Sequence, residues 1–265
     1  MRGAEFRQGV DKTILAALAP PVQTRPGMRL LTRTANSLLA FLLLTAPAAG
    51  SMAWAGPIDD RLLPMDQHSS EKARRLVKTH GRALRELSAG VYHCLPWLEV
   101  SKHSIGFFRP KGATQDERYL SMRVYIEQDA SPQFARLKAE ERAAAMFSRY
   151  VGPLLKRMAA ERALLDDPDL DGFTVILDWT KPTPRDAGER PVTETIAVFI
   201  TKPMAAEYLG GRAPVSRLAE ARTLAWDGET ARGPVRLTAW EDDFVKTYKV
   251  ANYQLQKGVT CPSGL

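Results

Sequence analysis

This sequence predicts a single α+β domain, a mainly antiparallel sheet packed with amphipathic helices, and three observations point there. Several short segments alternate apolar and polar residues with the period of two that marks half-buried strands. Others repeat apolar residues at three- and four-residue steps, as one face of a helix does. The helical segments fall at both ends and around the middle of the strand set, an arrangement that suits helices laid on a sheet.

In chain order, residues 1–27 are unpatterned, whereas Met28 opens the three-part layout of a secretory signal. Arg29 and Arg33 supply a basic start, residues 38–49 an apolar middle, and Ala53-Trp54-Ala55 the small residues before a cut after Ala55. The expectation is an upstream mis-annotated start at 1–27, a signal peptide at 28–55 and a mature domain at 56–265. The apolar block is shorter than the roughly 20 residues a membrane span needs and contains Pro47, with Gly50 just after it. The mature part is therefore expected to carry no transmembrane segment and to work in the periplasm or outside the cell.

Ser69 or Ser70 can cap a first helix carrying Ala73, Leu76, Val77, His80, Leu84 and Leu87, with Gly90 expected just past its end. Residues 95–100 and 104–108 read as β-like. Leu120, Met122, Val124 and Ile126 alternate with polar neighbours in a clear strand. Ser131 and Pro132 suit the start of a long apolar helix from Phe134 to Met158, which Gly152-Pro153 should kink or divide. Phe173, Val175, Leu177 and Trp179 mark another strand, and Ile196, Val198 and Ile200 one that should pair with it antiparallel across a polar connection. A short helix near 204–209, a strand pair at 222–226 and 235–240 around Asp227-Gly228, and a last helix from Glu241 to Gly258 complete the reading.

The chain has 37 basic and 30 acidic residues. Arg2, Arg7, Lys12, Arg25, Arg29, Arg33, Glu5 and Asp11 lie in the leader, which leaves 31 against 28 in the mature part. Basicity is partly a property of the leader, and no run of Lys and Arg interleaved with aromatics offers a nucleic-acid face. The two cysteines, Cys94 and Cys261, both fall in the mature part, and an oxidising compartment favours joining them as a disulfide.

The sharpest local motif is Asp167-Pro168-Asp169-Leu170-Asp171-Gly172. It resembles the DxDxDG opening of EF-hand-like calcium loops, where alternate carboxylates converge on a hard cation and the glycine allows a sharp turn. The resemblance implies Asp167, Asp169 and Asp171 as side-chain ligands, the Phe173 carbonyl as another and Asp178 as the closing ligand. The family has Glu at that closing position, and the segment after the loop reads here as a strand. The same residues also make an ordinary acidic turn.

His93, Cys94 and His103 could hold zinc or copper or act in redox chemistry, although their spacing matches no strong ligand pattern. His80 belongs to the apolar stripe of the first helix. There is no GxSxG, HExxH or glycine-rich phosphate loop. Glu127, Asp178 and Glu194, in or beside strands, are the carboxylates that a hydrolase or transferase could use. Trp97, Trp179, Trp226 and Trp240 could line a sugar or peptide groove, with core packing the expectation for Trp179. The leading expectation is a non-catalytic exported protein that binds an envelope protein, a peptide or a small ligand, with calcium holding one connection. An envelope hydrolase or transferase comes second, and a metal or redox protein third.

Overall fold

The computed structural model describes residues 59–95, 98–126, 132–181 and 192–239. All of these belong to the unit Ala53–Leu265, the chain's other unit being Met1–Met52. After two 3-10 turns, helix α1 spans Glu71–Cys94. Strands β1 (Leu98–Val100), β2 (Gly106–Phe108) and β3 (Tyr119–Ile126) follow. Helices α2 (Pro132–Arg136), α3 (Ala139–Met158) and α4 (Arg162–Asp166) lead to β4 (Gly172–Thr180) and β5 (Thr193–Thr201). Helices α5 (Lys202–Leu209) and α6 (Val215–Leu218) precede β6 (Arg222–Asp227) and β7 (Thr230–Val235).

One sheet runs β1-β3-β4-β5-β6-β7, with β2 on the same side of β3 as β1. Every pairing is antiparallel except β3 with β4, which run parallel. Antiparallel neighbours can be joined by a tight hairpin, but a parallel pair needs a crossover, and α2, α3 and α4 supply it. Leu120, Met122, Val124 and Ile126 of β3 face the helices together with Phe173, Val175, Leu177 and Trp179 of β4 and Ile196, Val198 and Ile200 of β5. Leu76, Leu84 and Val91 of α1 and Met146, Phe147, Val151 and Leu154 of α3 complete that core. Among the described residues no helix is long and apolar enough to cross a membrane.

Ser70 caps α1 as expected, its Oγ accepting from the Ala73 N–H at 3.2 Å. Gly90 does not end the helix, which continues to Cys94, because Val91, Cys94 and Leu95 are buried against the core. The helix is not divided at Gly152-Pro153 either: α3 runs through Pro153. A proline inside a helix costs about 3 kcal/mol or more, and the complete burial of Val151, Leu154 and Leu155 on either side of it offsets that cost. The chain divides earlier, at Leu137-Lys138, where Glu141 Oε2 reaches back to the Lys138 N–H at 2.7 Å and caps α3.

The last described hairpin is tighter than expected. Gly228, at φ 60°, turns the chain within two residues, so that Thr230 stands opposite Asp227 and β7 ends at Val235. Pro234, Arg232 and a register shift between Ala225 and Trp226 blunt this edge strand against pairing with another chain. Trp240 and the expected helix after it lie outside the described residues, as do Glu127, Trp97 and Ser131.

Candidate functional site

Helix α1 and the acidic loop form a ladder of ion pairs running in opposite directions. Lys72 Nζ lies 2.7 Å from Asp171 Oδ2, Arg75 Nε 2.8 Å from Asp169 Oδ2, and His80 Nε2 2.8 Å from Asp167 Oδ2. Asp167 also accepts from the Asp169 N–H at 2.8 Å, and Asp171 from the Arg118 N–H at 2.7 Å. Burial works against ionisation of Asp167, but the hydrogen bonds to His80 and the Asp169 amide, with the charges of His80 and Lys202, hold its pKa below the ordinary value.

The five residues of the calcium-loop resemblance are not brought to one point. Asp178 sits six residues along β4 from Gly172, roughly 20 Å away at the strand rise, and Phe173 lies within the sheet in register with Leu120 and Ile200. Each loop carboxylate is committed to a side chain of α1. Among the described residues no group of three or more His, Cys, Asp and Glu could hold a metal. Gly172 is likewise not a turn residue, because the described glycines with positive φ are Gly112, Gly211, Gly228 and Gly233. It opens β4 where a Cβ would stand 2.3 Å from the Ile200 carbonyl oxygen and 2.4 Å from the Tyr119 ring.

The two described strand carboxylates that the sequence singled out, Asp178 and Glu194, lie on opposite faces. Trp179 is the register partner of Glu194, and Asp178 that of Thr195, so the pleat directs them apart. On the helix face, Glu194 accepts from Arg142 Nε at 2.7 Å and from Trp179 Nε1 at 2.8 Å, while Arg142 also donates to Glu194 Oε1 and to the Leu137 carbonyl. On the other face, Asp178 accepts from Arg123 Nε at 2.5 Å, Arg123 Nη2 at 3.0 Å and Thr195 Oγ1 at 2.6 Å. A facing acid and base, as a two-carboxylate hydrolase needs, is not what these residues make. The cavity beside Glu194 is ≈ 30 Å³, room for a single water and no substrate. Trp179 and Trp226 both line that cavity, which is too small to be a sugar or peptide groove.

The arginines were not among the sequence-predicted site residues, although each left a trace. Arg142 directly precedes the apolar run 143–147, and Arg123 lies on the polar side of an alternating strand. Of the histidine and cysteine set, Cys94 is buried at the end of α1 and no described cysteine is a free thiol. His103 occupies the turn between β1 and β2 at φ 54°. The side chain of His93 and the whole of Cys261 lie outside the described residues.

His68, which drew no attention in the sequence, is only 2% exposed, and neither ring nitrogen makes a hydrogen bond of good geometry. Burial lowers its pKa below 6.5, and the charges of Arg118 and Arg74 add to this, although the carbonyls of Leu63 and Phe107 pull it partly back. A histidine held neutral in the fold binds fewer protons than in the unfolded chain, so its contribution is intact above pH 6.5 and lost as pH falls below that value toward the folded pKa. Unfolding midpoints between pH 8 and pH 5 should therefore fall at the acid end, and His68→Gln should flatten that slope. An unchanged slope in the variant would assign the acid lability elsewhere.

A larger concavity, ≈ 360 Å³, opens between the C-terminal halves of α1 and α3. Leu87, Val91, Pro153 and Met158 give it apolar walls, and Glu86, Lys156, Arg157 and Glu161 stand on its lining. Gly90 also lines it, and a Cβ built there meets nothing within 4 Å. Arg82 Nε holds Glu86 at 2.7 Å, and Lys156 Nζ lies 5.6 Å from the centre of the Tyr208 ring. Comparison of the chain with protein-family models, with curated proteins and with solved structures gives no match, so these residues carry the functional reading by themselves.

Proposed function

We propose that this chain is an exported, non-catalytic binding protein of the cell envelope. It is cut after Ala55 and braced by a Cys94–Cys261 disulfide, and it takes a small ligand between α1 and α3. One observation carries the reading: Asp178 and Glu194 are locked by arginines on opposite faces, whereas the α1–α3 cleft falls in the size range of small-ligand sites, about 300–1,000 Å³. The export part draws support from the basic, apolar and small-residue layout of 28–55.

Native mass spectrometry of protein purified from its host, before and after exposure to envelope extract, tests this. A mature N-terminus at Gly56, no free thiol and a one-to-one non-covalent adduct lost in Gly90→Leu are expected. A retained leader would sink the export reading, and time-dependent loss of an extract component would make the protein an enzyme. Calcium is not required, so unfolding midpoints in calcium and in chelator should coincide. A calcium-dependent rise that Asp169→Ala abolishes would return the acidic loop to a metal role.

A further inference from the structure

The α1–α3 cleft combines three features that a merely imperfect packing junction does not need. A glycine inside a helix costs about 1 kcal/mol relative to alanine, yet Gly90 keeps that place where a methyl group would meet no neighbour. Its absence keeps the wall of the cleft open. Leu87, Val91 and Met158, which belong to the packed core, also line this concavity of ≈ 360 Å³.

Arg157 is the third feature. Its Nε is buried without a hydrogen-bond partner, and burial lowers its pKa. An arginine in the last turn of a helix is well placed with respect to the helix dipole, but that accounts for its charge and not for a buried N–H left without an acceptor. Such a donor is costly unless something accepts from it. The acidic side chains of the lining do not fill the role: Glu86 is held by Arg82, and the charge of Glu161 acts on that same arginine. Lys156, next in the chain, is also on the lining, with its Nζ 5.6 Å from the centre of the Tyr208 ring.

Resting on the binding reading above, we propose that the cleft takes an anionic amphiphile, a carboxylate or phosphate head received by Arg157 and Lys156 with a short apolar tail along Leu87, Val91 and Met158. A planar guanidinium suits an oxyanion because it can offer two parallel N–H donors. The open space at Gly90 is where the tail passes.

Decanoate, decyl phosphate and decyltrimethylammonium, each below its micellar concentration, are titrated calorimetrically into the purified protein. One or both anions should bind one-to-one, with decyltrimethylammonium at least tenfold weaker. Their ranking separates a free carboxylate from a phosphate headgroup as the source. Arg157→Gln should weaken the anion at least tenfold while Arg157→Lys restores part of the affinity, and Gly90→Leu, which fills the cleft, should abolish binding. Circular dichroism establishes that each variant is folded, and if Arg157→Gln is not, Gly90→Leu and the cation comparison still decide. Equal binding of the cation, or full anion binding by Gly90→Leu, would overturn this inference. If neither anion binds but the adduct from envelope extract persists, the ligand class is wrong and the binding reading stands; if the adduct is absent too, both fall.

Discussion

Replacing Arg142 with alanine is expected to remove about 3–5 kcal/mol of folding stability, because it leaves the Glu194 carboxylate buried without its cation. Both partners are almost inaccessible, at 9% and 5% side-chain exposure, so bulk solvent does little to compensate the carboxylate. In a domain of this size each kcal/mol shifts the midpoint by roughly 2–4 °C, which makes the loss readily visible in thermal or urea unfolding. The cost is a property of the broken pair and not of the intact one. Exchanging both partners for uncharged residues of similar volume should recover most of it. Arg142→Met with Glu194→Gln keeps an amide oxygen for the Trp179 N–H, which now donates to Glu194 Oε2. Arg142→Met with Glu194→Leu should recover less, by the 1–3 kcal/mol of an unsatisfied buried donor. A single-variant loss below about 1 kcal/mol, the level of a surface ion pair, would show that the pair is solvated and that Glu194 is open to chemistry after all.

A second large effect is expected at Gly172, within a graded series of glycine-to-alanine substitutions. At Gly172 the new Cβ would stand 2.3 Å from the Ile200 carbonyl oxygen. That oxygen is backbone of the central strand β5, bonded on both sides, and cannot step aside. Overpacking of this kind costs typically 1–3 kcal/mol and sometimes more, and the upper end is expected here because the Tyr119 ring, 2.4 Å away, blocks the other direction. At Gly152 the obstacle is the Tyr208 hydroxyl at 2.4 Å, the far end of a side chain that can swing, so the loss should be smaller. At Gly90 there is no obstacle, and alanine should stabilise by about 0.5–1 kcal/mol through helix propensity. The predicted order of midpoints is Gly90→Ala, then wild type, Gly152→Ala and Gly172→Ala. If Gly172→Ala unfolds with Gly90→Ala, the close approach of β4 to β5 is wrong, and the reading of Gly172 as a turn residue of the acidic loop regains its case.

The strands with the most regular alternation were legible residue by residue. Leu120 to Ile126, Phe173 to Trp179 and Ile196 to Ile200 face the core as their period of two requires, and β4 pairs with β5 antiparallel as expected. The Ser70 cap was equally readable, since its partner Ala73 is three residues away. These features depend on interactions within a few residues, and those are written directly in the order of side chains. What the sequence could not resolve is what each charged residue meets. Asp167, Asp169 and Asp171 share a spacing with a calcium loop, but their partners come from α1, as in the contact of Lys72 with Asp171 across 99 positions.

By itself, then, the order of residues determined the α+β class, the buried face of each long strand and the start of α1, because each rests on local periodicity or a local hydrogen bond. Only the tertiary structure decided that β3 and β4 run parallel, that α3 passes through Pro153, that Gly172 serves a close strand approach, and that Asp178 and Glu194 are neutralised on opposite faces. The physical reason is the same in each case. Burial against a distant segment outweighs a propensity of a few kcal/mol, and a carboxylate's chemistry is set by the cation that folding brings beside it, 55 residues away for Asp178 and 52 for Glu194.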